Sequence, residues 1–594
     1  MIPAATADAP ELGSPSAAAE WVLLEYDPAA VHALAQDAGL SPAIAQLLLA
    51  RGIRTREEAA AFLAPSLDLL LDPYTMHGMA DAVARIQHAI RSGQIILIYG
   101  DYDVDGTIAI VLLKTAIELL GGTVRFHIPH RLRDGYGMQA EILTRAATDG
   151  VQLVISVDTG IRAFAAAEEA HRLGLDLIVT DHHLPETTLG LPQALAILNP
   201  NQPGCGYVCK HLCGAGVAFK LSQALLEAHD RTRARSKLLP SFLRMLVLAT
   251  VADAVPLTGE NRVIASLGIA ELERLVNPGL RALMEVAQLA PGKRRLTAMQ
   301  IAFRIAPRIN AAGRMDVASD VVELFTTRDP VSARGLAEKL DRLNNERRQT
   351  EENALAEIEL QLRDDLSLAN ASCIVLDGTG WHRGVVGILA SRVVDRTGKP
   401  ALVISNEEGQ AHGSGRSIHG FHLLDSIATC HDLFTRFGGH AHAVGFSLPS
   451  ERVPELRSRL CAHASALLTP ELLTRRLLCH ARVELDALTP QFHRALRQLE
   501  PFGMGNEEPV FVAVGLTLEA PPSPIKERHV RLRVRSASGR ISFSALGWRL
   551  ADRVLGLGLT AGSTIDLAFR LRENEHPDFG GLELEIADLR LTPI

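Results

Sequence analysis

The chain has 594 residues, too many for one hydrophobic core, and its length points to roughly three or four domains. It is 47% hydrophobic and 22% charged, as ordinary globular proteins are, and no apolar run approaches the ~20 residues that span a bilayer. A net charge of −8 excludes a uniformly basic nucleic-acid coat, so any DNA contact must come from local patches.

Residues 1–20 are rich in Ala, Pro and Ser without a basic start, and are expected to form a disordered tail rather than a signal peptide. A strand-like run, Ile95 to Tyr99, then ends in Asp101, Asp103 and Asp105, followed by Gly106 and a helix-like apolar segment. Carboxylates two apart on an extended segment project to one side, and several oxygens can converge on one cation. Burying that much negative charge is costly without such a partner. The plain alternative, a loop of solvated aspartates, is disfavoured by three later segments built the same way. Val151 to Val157 runs into Asp158, Leu175 to Thr180 into Asp181-His182-His183, and the more helix-like Met245 to Ala252 into Asp253. A helical pattern over Ala163 to Leu173 separates the first two, so strand and helix alternate. Alternation of this kind implies a parallel sheet covered by helices, with ligand sites at the carboxyl ends of its strands. Aspartate and histidine donors without thiolate favour manganese or magnesium over structural zinc. Two such ions could share a bridging carboxylate, the arrangement that promotes phosphoryl transfer. Cys205, Cys209 and Cys213 lack the spacing of a zinc knuckle and read as small loop residues before a glycine-rich helix start. Seven cysteines without disulfide-like spacing suit a reduced, cytoplasmic protein.

From Val331 to about Asp365 the chain is proline-free and charged, with Leu336, Leu340 and Leu343 at helical spacing; it reads as a long exposed helix joining two halves. Cys373 to Leu376 and Ala401 to Ile404 read as strands of a second α/β unit. That unit holds Gly413-Ser414-Gly415-Arg416-Ser417, where short residues let backbone N–H groups and a guanidinium reach a phosphate together; a tight turn is the simpler reading of the glycines alone. Near the end, Lys526, Arg528, Arg531, Arg533, Arg535 and Arg540 face a single nearby acid, Glu527. Arg531, Arg533 and Arg535 alternate with Val530, Leu532 and Val534, which describes either a solvated edge strand or a basic binding face. Phe543 and Trp548 are the nearest candidates for stacking on bases.

Asp181-His182-His183 together with Asp-Tyr-Asp-Val-Asp-Gly at 101–106 resembles the DHH phosphoesterase superfamily. Val251-Ala252-Asp253-Ala254-Val255-Pro256-Leu257, Arg308-Ile309-Asn310-Ala311-Ala312-Gly313-Arg314, Gly438-Gly439-His440-Ala441-His442-Ala443-Val444-Gly445 and Pro501-Phe502-Gly503-Met504-Gly505-Asn506 narrow the match. In this order they resemble the RecJ family of bacterial single-strand-specific exonucleases, which degrade DNA from the 5′ end. The resemblance implies an α/β protein: a parallel-sheet DHH domain (21–330, with an N-terminal helical segment), a long connecting helix (331–367), a DHH-associated domain (368–468) and a C-terminal β-barrel of OB-fold type (469–594).

By the same resemblance Asp101, Asp103, Asp105, Asp158, His182 and Asp253 would hold two manganese or magnesium ions, with Asp158 as bridge. His183 would join the catalytic set. Arg131, Arg308, Asn310, Arg314, Ser414, Arg416 and His440 would contact substrate, although Arg308 and Arg314 could instead pair structurally with an aspartate. Arg531, Arg533 and Arg535 would bind single-stranded DNA. There is one departure: some relatives place a histidine four residues before the ligating aspartate that corresponds to Asp103, where this chain has Tyr99. A phenol, with a pKa near 10, is a poor ligand, so the first metal site is expected to be weaker or more open. The family further implies a monomer, no membrane association, and single-stranded-DNA-binding protein and a repair helicase as partners. A DHH phosphodiesterase of small substrates shares the same core but has no use for the basic C-terminal segment. A non-catalytic DNA-binding scaffold would have no need of an intact ligand set.

Overall fold

A computed structural model describes residues 19–131, 137–274, 276–289, 295–315, 317–574 and 580–592. Residues 1–18 of the expected N-terminal tail lie outside this range. The chain divides into two units, one of residues 56–347 with 498–507, the other of the remaining segments.

The first unit is built on a five-stranded parallel sheet. Its order is Thr123–His127, Ile95–Tyr99, Val151–Val157, Asp176–Thr180, Ala196–Leu198. Both faces are covered, which is why these strands read as continuous apolar runs. Ile96, Ile98, Leu153 and Ile155 join one core with helices Met79–Arg91, Val104–Leu119, Gly214–Arg233 and Leu239–Ala252. Leu97, Tyr99, Val154 and Val179 join the other, against helices Ala140–Thr148 and Phe164–Arg172. After strand Ile95–Tyr99 the chain places its next strand on one side and the following one on the other. The loops after Ile95–Tyr99 and Val151–Val157 therefore part at this point and open a crevice at their carboxyl ends. The segment before Asp253 is helical, Leu239–Ala252, because Leu and Ala dominate it.

Beneath the sheet a buried ion pair is fully satisfied. Lys220 Nζ donates to Glu260 Oε1 (2.8 Å), Gln223 Oε1 (2.6 Å) and the Leu71 carbonyl (2.6 Å), while Glu260 also accepts from Leu71 N and from the Tyr207 hydroxyl. Apart from Gln223, which shares a helix with Lys220, the partners come from different segments, so the knot fixes their relative placement.

Helix Pro330–Asp364 is continuous, as its composition predicts, and buries Ala333, Ala337 and Leu340 early and Leu355, Ile358 and Leu362 late. In the second unit, strands Ile374–Thr379 and Ala401–Glu407 are parallel. Gln410–Arg416, Ala443–Pro449 and Arg436–His440 extend that sheet antiparallel. A seven-stranded sheet follows, and pairing of Phe511–Leu518 with His529–Arg535 closes it into a barrel. One difference from expectation concerns the N-terminus. Strand Glu20–Leu23, which takes in the last residue of the expected tail, pairs in parallel with Arg476–Cys479. The Trp21 indole N–H also donates to Asp588 (2.7 Å). Residues 19–55 thus group with the second unit rather than with the parallel sheet.

Replacing Lys220 with Met would leave the Glu260 charge buried without its cation. The expected loss is about 3–5 kcal/mol in the first unit's unfolding transition, read by denaturant titration; an unchanged midpoint would show that the pair contributes nothing net.

Candidate metal centre

Each acidic segment reaches the crevice by its own local device. Asp103 is the N-cap of helix Val104–Leu119: its Oδ1 accepts from Gly106 N (3.0 Å), and its carbonyl accepts from Thr107 N and Oγ1. Gly106 is required here, because a Cβ would lie 2.6 Å from the Asp101 carbonyl oxygen. Asp105, buried in the first turn of the same helix, accepts from the first two N–H groups of helix Gly214–Arg233, Gly214 at 2.6 Å and Ala215 at 2.8 Å. A helix N-terminus favours an anion both through its free donors and through its dipole. Asp158 follows strand Val151–Val157 with φ 58, a conformation costly for a residue bearing a Cβ, and Gly214 leaves room for it. A Cβ at Gly214 would meet the Asp158 side chain at 2.5 Å. Asp253 caps the carboxyl end of helix Leu239–Ala252.

His182 brings these segments together. Its Nε2 lies 3.3 Å from Asp158 Oδ1 and 3.8 Å from Asp105 Oδ2, and its Nδ1 lies 3.9 Å from Asp253 Oδ2. In each of three overlapping sets the ligand atoms lie within 4.8 Å of one another: Asp101, Asp103 and Asp158; Asp158, His182 and His183; Asp105, His182 and Asp253. Asp158 and His182 each belong to two of the sets.

Sequence reasoning assigns no role to Asp181, the residue that shapes the loop. It accepts from Ile161 N (2.9 Å), His182 N (2.7 Å), His183 N (3.1 Å) and the His183 ring at Nδ1 (2.7 Å). Asn199 and Asn201 hold the carbonyls of His183 and His182 from the other side. Tyr99 is buried in the lower core and its hydroxyl bonds the backbone of Gly137 and Gln139, so it anchors that segment. Arg131 lies 4.9 Å over the Tyr102 ring, close to the cluster; residues 132–136, which follow it, lie outside the described residues. Asn310 accepts from Val104 N (3.2 Å), and Gly313 packs so closely on Tyr102 that a Cβ would lie 2.2 Å from its carbonyl oxygen. Both residues therefore brace the backbone of the aspartate loop. Arg308 is held by Asp341 (2.8 Å) and the Arg304 carbonyl, the structural alternative anticipated for it. Arg314 is half-buried beside Tyr102.

Electrostatics define what the cluster can bind. Burial, with Asp103 and Asp105 close by, drives the Asp101 and Asp158 carboxyls well above the usual range. Asp103 is raised by burial and Asp105, and Asp253 is pushed up to about 9 by burial and the charges of Asp105 and Asp103. Burial lowers His182 and keeps its imidazole in the neutral form that ligates metals. Burial works against His183 too, but Asp181 outweighs it and raises the ring to about 9. The buried Asp101 Oδ1 has no hydrogen-bond partner among the described residues. Hard oxygen and imidazole donors, mutually repelling and partly unsatisfied, fit divalent cations of the magnesium–manganese type.

In the second unit the structure brings Ser414 and Arg416 together: Arg416 Nη1 donates to Ser414 Oγ (3.0 Å) and the Gly415 carbonyl (2.8 Å). Gly387, in the first turn of helix Val386–Thr397, approaches the same pair. His440 lies on the exposed edge strand Arg436–His440, and it and Arg416 both pair with Ala443 from opposite sides, about 10 Å apart across two strands. On the barrel, Arg531, Arg533 and Arg535 point outward while Val530, Leu532 and Val534 are buried. Strand His529–Arg535 has neighbours on both sides and is no sheet edge. The acid facing this row is Glu519, which binds Arg533 (2.7 Å) and Arg535 (2.9 Å). Trp548 is exposed, but Phe543 is buried in the barrel and cannot serve as a stacking platform, a correction to the sequence reading. Among the described residues the three loop cysteines belong to no metal-binding group, and no helix is long and apolar enough to cross a membrane.

Comparison with known proteins agrees with this layout. Family models match over residues 95–250 (DHH family, N-terminal domain), 370–466 (DHHA1 domain) and 479–588 (RecJ OB domain). The single-stranded-DNA-specific exonuclease RecJ of Bacillus subtilis is 36% identical over 96% of this chain and 71% of its own length. That of Dickeya dadantii is 35% identical over 92% and 96%. A crystal structure of RecJ from Thermus thermophilus in complex with Mn2+ superposes with a TM-score of 0.80 at 31% identity, covering 97% of this chain and 80% of that one.

The raised carboxyls carry a prediction about pH. Folded Asp253 and His183 hold protons up to about 9, above their unfolded values, so their contribution to stability is full below those values and is lost as pH rises through 9. The metal-free protein should unfold more easily at pH 9 than at pH 6, while Mn2+ binding at pH 7 should release protons, seen as buffer-dependent heats in calorimetry. Heats that do not depend on buffer would contradict these assignments.

Proposed function

The chain belongs to the RecJ family of single-stranded-DNA-specific exonucleases, and from that premise we propose that it hydrolyses single-stranded DNA from the 5′ end with two divalent cations held at the first unit's crevice. The observation that carries the proposal is the convergence of Asp101, Asp103, Asp105, Asp158, His182 and Asp253, side chains able to ligate metal, with Asp158 and His182 each shared between two of the subsets. Bound Mn2+ or Mg2+ would lower the pKa of an attacking water and offset charge on the attacking and leaving oxygens.

The chain's own residues do the rest. Asp103 and Asp105 are fixed by helix N-termini, so their oxygens keep one orientation without reorganisation cost. His183, carrying its proton and anchored by Asp181, supplies a positive donor beside the cluster for a phosphate oxygen. Arg131 and Arg314, near Tyr102, are proposed to hold the terminal phosphate, while Arg308 and Asn310 act on the cluster's scaffold. Ser414, Arg416 and His440 are proposed to touch the following nucleotides. Arg531, Arg533 and Arg535 would bind the strand through its phosphates, with Trp548 for stacking. Our reading includes a cytoplasmic monomer that meets a single-stranded-DNA-binding protein and a repair helicase.

Asp103→Asn keeps an oxygen for the Gly106 cap, so it removes a ligand charge without the ~1 kcal/mol loss of a helix cap. It should abolish release of nucleotides from a 3′-labelled single strand while leaving oligonucleotide binding intact; near-normal turnover would refute the ligand set. Neutralising Arg531, Arg533 and Arg535 should flatten the salt dependence of binding by about one unit of slope for each phosphate no longer neutralised. Arg531 should contribute most, since Glu519 already engages the other two. An unchanged slope would remove the barrel face from the binding track. Activity confined to dinucleotides would favour the small-substrate reading.

A further inference from the structure

Residues 498–507 belong to the first unit although the chain on both sides of them, 348–497 and 508–594, belongs to the second. They pack on the turn that follows Asp253. Leu257 N donates to the Met504 carbonyl at 2.7 Å. A Cβ at Gly503 would lie 2.7 Å from Leu257 Cδ1 and would push that buried side chain aside, and one at Gly505, where φ is 68, would lie 3.0 Å from Pro256 Cβ, so the loop is closely packed on the turn. Asn506 is fully buried and ties the loop to itself: its amide donates to the carbonyls of Leu499 (2.9 Å) and Pro501 (2.8 Å), and its backbone pairs with Gly503. Arg262, buried and 3.5 Å over the Phe62 ring, donates to three successive carbonyls, Gln498 (3.1 Å), Leu499 (2.9 Å) and Glu500 (3.0 Å).

The turn held this way is strained. Ala254, immediately after Asp253, has φ 54, and a left-handed residue with a Cβ persists only where its surroundings enforce it. The same turn is fastened from its other side by Asn261, whose amide donates to the Pro256 carbonyl (3.1 Å) and the His211 carbonyl (2.6 Å). His211 stands just before Cys213, the N-cap of the helix whose first N–H groups hold Asp105. One buried knot therefore joins residues 498–507, the Asp253 turn and the helix start beneath Asp105.

We propose that residues 498–507, held by Arg262 and Asn506, are a positioning device for the metal centre that aims the Asp253 carboxylate by enforcing the 254–258 turn. The inference rests on the reading of Asp253 as a metal ligand. Groups that orient a ligand in this way typically change metal affinity 10–100-fold when removed.

The test is calorimetric titration of Mn2+ into the full chain carrying Asn506→Ala or Arg262→Lys, with Asp253→Asn as reference. Both positioning variants should bind Mn2+ on the order of 10-fold more weakly, and kcat should fall with little change in KM for an oligonucleotide. A purely structural role would lower the unfolding midpoint and leave the folded protein's Mn2+ affinity as it was; that result in either variant, with Asp253→Asn impaired, overturns the proposal. Arg262→Lys decides the matter if Asn506→Ala does not fold. An Asp253→Asn protein that binds Mn2+ like the parent overturns the ligand reading, and the proposal with it.

Discussion

Several carboxylates forced together inside the protein form the constraint from which the rest of the structure follows. Asp101, Asp103, Asp105, Asp158 and Asp253 meet at one end of a parallel sheet, largely out of solvent, where their charges repel at close range. Such a group persists only if something positive is supplied and if the backbone cannot relax away. The helix start at Gly214 meets the first need in part, through two N–H donors to Asp105, and His183 adds a charge of its own. Divalent cations complete it. The second need is met by close packing that allows no Cβ at Gly106, Gly214 or Gly313.

This division explains why the motifs are distributed along the chain. Asp101 to Asp105 and Asp158 follow strands because strand ends at a switch in sheet order leave a crevice, while Asp253 reaches it from the end of a helix. The residues that hold them come from elsewhere: Asn310 and Gly313 brace the loop at Tyr102–Val104, and residues 498–507 brace the turn after Asp253. The arginine row on the barrel is local and partly balanced by Glu519, so it coexists with a negative net charge. That acid leaves the terminal amino groups of Arg533 and Arg535 outside its hydrogen bonds, which run through Nε in both cases.

Much of this is legible in the sequence for specific reasons. Apolar runs ending in Asp or His give away a parallel sheet and its site, because both depend on local pattern. The 35-residue helix Pro330–Asp364 is legible from its charge density and from the lack of proline after its first residue. Pairings between distant segments leave no such trace. Asp105 meets Gly214 across 109 residues, and Glu20–Leu23 finds its partner strand near the other end of the chain. Asp181 looks like one more ligand-motif acid, and only its four bonds to loop donors reveal an organiser. Phe543 is misread as a stacking platform although a signal exists: with Ala545 and Gly547 it falls on the inward positions of an alternating strand.

The proposed bridging by Asp158 would join two cation sites into one centre. Electron paramagnetic resonance of the protein titrated with Mn2+ addresses it directly. The account predicts that a second equivalent converts the six-line signal of an isolated ion into the broadened signal of an exchange-coupled pair, and that Asp158→Asn abolishes the coupling. Two equivalents bound with no sign of coupling, or one equivalent only, would contradict it.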